Sequence, residues 1–243
     1  MQYWGVTDPG CQRSQNQDAY QIEKLDRHTV LCTVCDGMGG AKSGNVASSL
    51  AVDVFTQEVK RNWKPDMDDA ALEQMLRSAV KLANFTVHDQ SMQFEDFAGM
   101  GTTLVAALIH GKTAMIVNVG DSRCYCVDED GIQQLTTDHS LVQMMILRGE
   151  LTPEKAKNYP GKNLITRAIG TEAVAECDIF TRAIKKGDCL LLCSDGLSNL
   201  VDEQEMLFEV ACDEDRAQCC QRLVDIANKR GSPDNVTCVL VCV

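Results

Sequence analysis

The stretch Val30-Leu31-Cys32-Thr33-Val34-Cys35-Asp36-Gly37-Met38-Gly39-Gly40 decides how the chain is read. A short apolar, β-branched run that stops at Asp-Gly has the signature of a strand closed by a turn. After Ser43-Gly44 the pattern changes: Val46, Ala47, Leu50, Ala51, Val54 and Phe55 recur at spacings of three and four, as on a helix with one apolar face. Strand-like runs return at 102–109, 113–119, 188–193 and 235–243. A second helical pattern runs through Leu72, Met75, Leu76, Ala79, Leu82 and Ala83. A third joins Ala217, Cys220, Val224 and Ala227 and stops near Gly231 and Pro233. Strand blocks and helix blocks are segregated, which favours stacked sheets flanked by helices over a doubly wound parallel sheet.

Segment 140–165 stands apart. It holds a short apolar helix around Leu141 to Leu147, then Gly149, then Thr152-Pro153-Glu154 as an N-cap with proline at the first helical position. An excursion of this kind is either a lid over a site or a solvated loop.

With 243 residues, 44% of them hydrophobic, the chain can close a large core, and no linker divides it. The net charge of −12 opposes binding to nucleic acid or to an anionic membrane surface, and suits a protein that holds cations. No signal-peptide core and no apolar run of bilayer length occurs, so the expectation is a soluble, cytoplasmic protein. The thirteen cysteines are an odd number, many inside apolar runs; they read as small buried hydrophobes of a reducing cytosol, not as a disulfide framework. Cys32 and Cys35 form one C-x-x-C, but residues three apart on a strand point to opposite faces, which favours core packing over zinc or redox use.

One local arrangement repeats. Val30 to Cys35 ends in Asp36-Gly37; Met115 to Val119 runs into Gly120-Asp121-Ser122-Arg123; Cys189 to Cys193 ends in Ser194-Asp195-Gly196; Asp234-Asn235 opens the last strand. Any one of these is ordinary turn chemistry. If the carboxylates converge, their repulsion calls for cations, and Mg²⁺ or Mn²⁺ with a few carboxylates and water is the natural answer. Glycine beside an aspartate lets a backbone carbonyl approach the same ion, which makes Gly37 a candidate ligand. Periodicity does not show whether these sites meet in space.

In chain order, Arg13-Ser14-Gln15-Asn16-Gln17-Asp18, Asp36-Gly37-Met38-Gly39-Gly40, Gly99-Met100-Gly101-Thr102-Thr103, Gly120-Asp121-Ser122-Arg123, Thr137-Asp138-His139-Ser140, Ser194-Asp195-Gly196-Leu197 and Asp234-Asn235 resemble the successive motifs of the PP2C (PPM) phosphatases, bacterial type. The resemblance implies a single domain over 1–243: an α/β four-layer αββα sandwich, two mostly antiparallel sheets between helices, with segment 140–165 as a flap. It implies two or three Mn²⁺ or Mg²⁺ ions, with Asp36 bridging two of them, Gly37 ligating through its carbonyl, Asp195 and Asp234 completing the shell and Asp121 helping to hold a third. Asp18 would orient metal-bound water from behind, and Arg13 would bind the substrate phosphate. Two departures matter: Met38 stands where many eukaryotic members have a histidine proposed as general acid, and Gln17 stands where a glutamate is usual. His139 is either a replacement acid or a structural histidine.

The implied activity is hydrolysis of phosphoserine and phosphothreonine in proteins by a hydroxide bridging two metals, without a phosphoenzyme. The implied partners are phosphoproteins made by a serine/threonine kinase, and the implied state is a monomer. No cysteine is followed six residues later by arginine and no D-x-D-x-T occurs, so the marks of other phosphatase chemistries are missing. The competing reading is a non-catalytic phosphoprotein-binding module on the same fold, which would have no chemical need for so many aspartates.

Overall fold

The computed structural model describes residues 1–156, 159–211 and 213–243. One sheet has the order β1 (Gln2–Asp8), β11 (Val236–Cys242), β10 (Cys189–Cys193), β7 (Arg123–Asp128), β8 (Gly131–Gln134). The other runs β2 (Asp18–Lys24), β3 (Thr29–Met38), β5 (Leu104–His110), β6 (Thr113–Val119), β9 (Asp178–Ala183), with the two-residue β4 (Gly101–Thr102) beside the end of β3. Every pairing is antiparallel.

Long helices α1 (Gly40–Asn62) and α2 (Asp69–Gln93) cover the second sheet, and α6 (Glu203–Ala211) and α7 (Cys219–Lys229) cover the first. Shorter helices α3 (Leu141–Leu147) and α4 (Pro153–Ala156) lie in the excursion after β8, and α5 (Asp195–Ser198) follows β10. The apolar interior forms three layers, one under each helix pair and one between the sheets. This is the four-layer αββα sandwich.

The central strands are apolar at nearly every position because both faces are buried. In β3, Leu31 and Cys35 pack under α1 and α2, whereas Val30, Cys32 and Val34 fill the space between the sheets. Cys32 and Cys35 thus sit in different layers, as their spacing requires. In β11, Val239 and Val241 face the other sheet while Cys238 and Leu240 face α7.

The cysteines need one correction. Cys189 and Cys242, direct partners in the β10–β11 register with Cα atoms 4.1 Å apart, form a disulfide. The other ten described cysteines are free, and all but Cys11 are buried. The bridge depends on strand register, which residue spacing does not reveal.

Candidate metal and phosphate site

β3 carries Asp36 to the rim of the sandwich, directly opposite Asp18 of β2. Like charges at facing positions repel, so this pair needs compensation. The backbone of Asp36 is pinned on both sides: its N–H donates to Thr103 Oγ1 at 2.9 Å, and its carbonyl accepts from Thr103 N and Thr102 Oγ1, each at 2.8 Å. Thr103 Oγ1 also lies 2.7 Å from Ser122 Oγ, which ties the end of β3 to the residue after Asp121. The glycines of the Asp-Gly pairs serve close packing. A Cβ at Gly37 would lie 2.1 Å from the Gly44 carbonyl oxygen, and one at Gly196 would lie 1.9 Å from that of Asn235.

Arg13, Asp36, Gly37, Asp121, Asp195 and Asp234 all line one cavity of about 510 Å³. Asn163 and Ile165, from the end of segment 140–165, complete part of its wall. Asp18 is 8% exposed and sits behind Asp36 in the neighbouring strand. Burial pushes Asp18 up to about 7 against the pull of hydrogen bonds from Thr237 and Ser194, with Asp195 and Asp234 adding repulsion. Burial, then Asp195 and Asp138, brings Asp121 to about 7 as well. Asp36 is driven well above the carboxylate range by burial and then by Asp18, Asp195, Asp121 and Asp234. Asp195 is raised by burial and by Asp234.

These groups share one electrostatic problem, and a cation solves it. Asp18 Oδ2 accepts from Ser194 Oγ at 2.7 Å and Thr237 Oγ1 at 2.6 Å, whereas its Oδ1 is buried without a protein partner. Among the described residues no three Asp, Glu, His or Cys side chains close into a finished single-ion cage. The carboxylates instead ring a shared space, which suits hard ions that keep several waters and take only one or two carboxylates each. The donor set therefore fits Mg²⁺ or Mn²⁺.

Arg13 Nη2 donates to Asp234 Oδ2 at 3.0 Å at the cavity rim, with half of its side chain exposed. The loop that presents it is fastened by Asn235, which the sequence reading left without a role. Asn235 is 3% exposed; its Nδ2 donates to the carbonyls of Pro9 at 2.9 Å and Gln15 at 3.0 Å, and its Oδ1 accepts from Gln17 N at 2.8 Å. Gln17 also contributes its carbonyl, which accepts from Gly37 N and Ser48 Oγ.

Both ring nitrogens of His139 are occupied. Nδ1 accepts from Gly120 N at 3.1 Å, while Nε2 faces Asp178 Oδ2 at 3.1 Å. The His139 N–H donates to the Gly120 carbonyl at 2.9 Å, and Arg167 pairs with Asp178 at 2.9 Å. Burial lowers its pKa against the Asp178 hydrogen bond, which keeps the ring neutral as its Nδ1 acceptor role requires. Of the two roles open to it, this geometry is that of a brace for the Gly120–Asp121 turn.

A family profile described as Protein phosphatase 2C matches residues 12–240. The chain is 37% identical to the serine/threonine phosphatase stp of Listeria welshimeri, over 97% of this chain and 93% of that one. Its fold superposes on the crystal structure of the serine/threonine phosphatase Stp1 from Staphylococcus aureus with a TM-score of 0.93, at 34% identity and over 99% of this chain and 94% of that one. The catalytic domain of the serine/threonine protein phosphatase PstP, solved in complex with two manganese ions, matches with a TM-score of 0.84 at 33% identity, over 98% and 96% of the two chains.

Proposed function

Because the chain belongs to the protein phosphatase 2C family and is a serine/threonine phosphatase, we propose that it hydrolyses phosphoserine and phosphothreonine in proteins by direct attack of an ionised water on phosphorus, with no phosphoenzyme. The observation that carries this reading is the ring of Asp36, Asp121, Asp195 and Asp234 around one cavity with Arg13 at its rim. Divalent ions, when bound, supply water ionised near neutral pH and neutralise phosphoryl oxygens. Asp36, Gly37, Asp195 and Asp234 would hold two of them, and Asp121 a third.

The chain's own residues do the rest. Arg13 offers a planar fork of donors to the phosphate oxygens, and its pairing with Asp234 keeps the guanidinium at the cavity. Asp18 Oδ1, which has no protein partner, is the acceptor that orients a water behind Asp36. Met38 cannot donate a proton, and both nitrogens of His139 are engaged, so the leaving alkoxide takes its proton from solvent.

In this reading one domain spans the chain and segment 140–165 is its flap, supported by Asn163 and Ile165 in the cavity wall. The substrates are products of a serine/threonine kinase, and the enzyme acts as a cytoplasmic monomer. Nine buried free thiols favour a reducing compartment and outnumber the two cysteines of the Cys189–Cys242 bridge, which are themselves buried. No helix among the described residues is long and apolar enough to cross a membrane.

The test is phosphate release from a phosphothreonine peptide with and without Mn²⁺, for the native chain and Asp36→Asn. Mn²⁺-dependent turnover that falls by at least about 100-fold in the variant is expected, the loss of roughly 3 kcal/mol of transition-state stabilisation. Turnover that needs no divalent ion, or a phosphorylated side chain trapped during turnover, would overturn the mechanism.

A further inference from the structure

A second cavity, of about 570 Å³, adjoins the first: Met38 and Ile165 line both. Its remaining wall includes Arg167, Glu172, Val174 and Glu176. Its size is that of a site for a small ligand or a few side chains.

The wall is held firmly. Buried Asn84 of α2 donates to the carbonyls of Glu172 at 3.0 Å and Ala173 at 3.2 Å, and accepts from Gly170 N at 2.7 Å. Gly170 has φ +89°, and a Cβ there would meet Val87 Cγ1 at 2.3 Å, so this turn is moulded onto α2. A prearranged wall loses little entropy when a ligand arrives. Yet Val174 is 72% exposed on it, an apolar side chain offered to solvent beside the catalytic cavity.

The charge on this wall is one-sided. Arg167 is taken by Asp178 at 2.9 Å, while the carboxylates of Glu172 and Glu176 form no ion pair with any described residue. A cationic side chain entering here meets two uncompensated acids and an apolar surface for its methylene stem. The overall charge of −12 adds attraction at longer range.

We propose that this second cavity seats the residues flanking the phosphorylated side chain of the substrate and selects arginine or lysine there. The inference rests on the phosphatase reading, since the shared walls at Met38 and Ile165 put the two cavities within reach of one extended peptide. At about 3.3 Å per residue, a neighbour of the phosphoresidue or one a few positions away reaches it.

The experiment measures kcat/KM for matched phosphothreonine peptides with arginine or glutamate at successive flanking positions, on the native chain and on Glu172→Lys/Glu176→Lys. p-Nitrophenyl phosphate, which has no flanking residue, reports separately on the catalytic centre. At one or more positions the arginine peptide should exceed the glutamate peptide about fivefold, a difference of roughly 1 kcal/mol, as expected for partly exposed pairing with the two acids together. The double variant should invert that ratio. Equal rates for the two peptides at every position, or a preference unchanged in the variant, would overturn the proposal while leaving turnover of the small ester intact. If neither peptides nor ester are hydrolysed, the phosphatase reading fails, and peptide affinity by fluorescence anisotropy decides the cavity proposal on the same two criteria.

Discussion

Asp18 is the residue where folding and function pull apart. Its charge is buried, faces Asp36 across the strand pair and is held by two hydroxyls that an amide oxygen would accept equally well. Asp18→Asn should therefore raise the melting temperature of chelator-treated protein by several degrees, at about 2–4 °C per kcal/mol for a domain of this size. It should also shrink the further rise that Mn²⁺ produces, because the variant offers the ion's environment one charge fewer. Thermal melts with EDTA and with Mn²⁺ check both; a variant less stable than the native chain in EDTA would refute the argument. Asn235 makes the opposite case. Asn235→Ala strands two carbonyls and one N–H, at about 1–3 kcal/mol of stability, and loosens the loop that presents Arg13. Its KM for phosphopeptide should rise by more than its kcat falls; an unchanged KM would mean that Arg13 does not depend on this anchor. Arg13, Asp36, Asp121, Asp195 and Asp234 were legible as candidates because each lies in a short motif that resembles one of the family's, not because the local pattern alone marks a site. Asn235 was not: its hydrogen bonds reach residues more than two hundred positions away, and no spacing rule encodes such a contact.

Among the elements, all but one of the strands buried on both faces announced themselves, and those at sheet edges did not. β3, β5, β6, β10 and β11 are apolar at nearly every position because helices pack on one side and a second sheet on the other. β1, β8 and β9 are edge strands with half-exposed polar residues, so neither an apolar run nor a clean alternation marks them. β2 is also an edge strand. β7 is central and buried, but its apolar stretch is four residues long and pressed between Arg123 and Asp128. Within segment 140–165, α3 falls on the apolar stretch Leu141 to Leu147 and α4 begins at Pro153, where the Thr152-Pro153 signal put it; the cap of α3, Ser140 Oγ accepting from Gln143 N, was not read from the sequence. The joint between this segment and the site is His139. Its carbonyl accepts from Thr166 N at 2.7 Å while its ring holds Gly120. His139→Ala should cost about 2–4 kcal/mol, from a buried N–H left unpaired and a cavity opened. It should also increase the Mn²⁺ concentration for half-maximal activity several-fold, because Asp121 follows the loosened Gly120. A metal titration unchanged in a folded variant would confine His139 to stability alone.

The whole molecule is a stack of four layers whose apolar interior is large enough to hold several unfavourable charges at one rim. The strands that form the three apolar layers are the strands whose ends carry Asp36, Asp121 and Asp195, so core and site are one construction. That arrangement fixes how stability depends on pH. Asp18 and Asp121 are raised to about 7, and Asp36 and Asp195 are raised as well, so in the metal-free protein the folded state binds more protons than the unfolded state between pH ~4 and ~7. Stability then falls as pH rises through that window, and the metal-free protein should melt several degrees higher at pH 5.5 than at pH 8. This is the reverse of the usual carboxylate behaviour, in which ion-paired acids lose their contribution as pH drops. With saturating Mn²⁺ the sign should change: the ions hold the same groups ionised, protons compete with them, and the stabilisation they give should decline as pH falls. Melting curves at both pH values, each with EDTA and with Mn²⁺, give four temperatures and one decisive quantity, the gain from Mn²⁺ at pH 8 minus that at pH 5.5. A clearly positive difference is expected. A difference of zero would mean that these carboxylates are ionised without the ion and that repulsion among them does not shape the site.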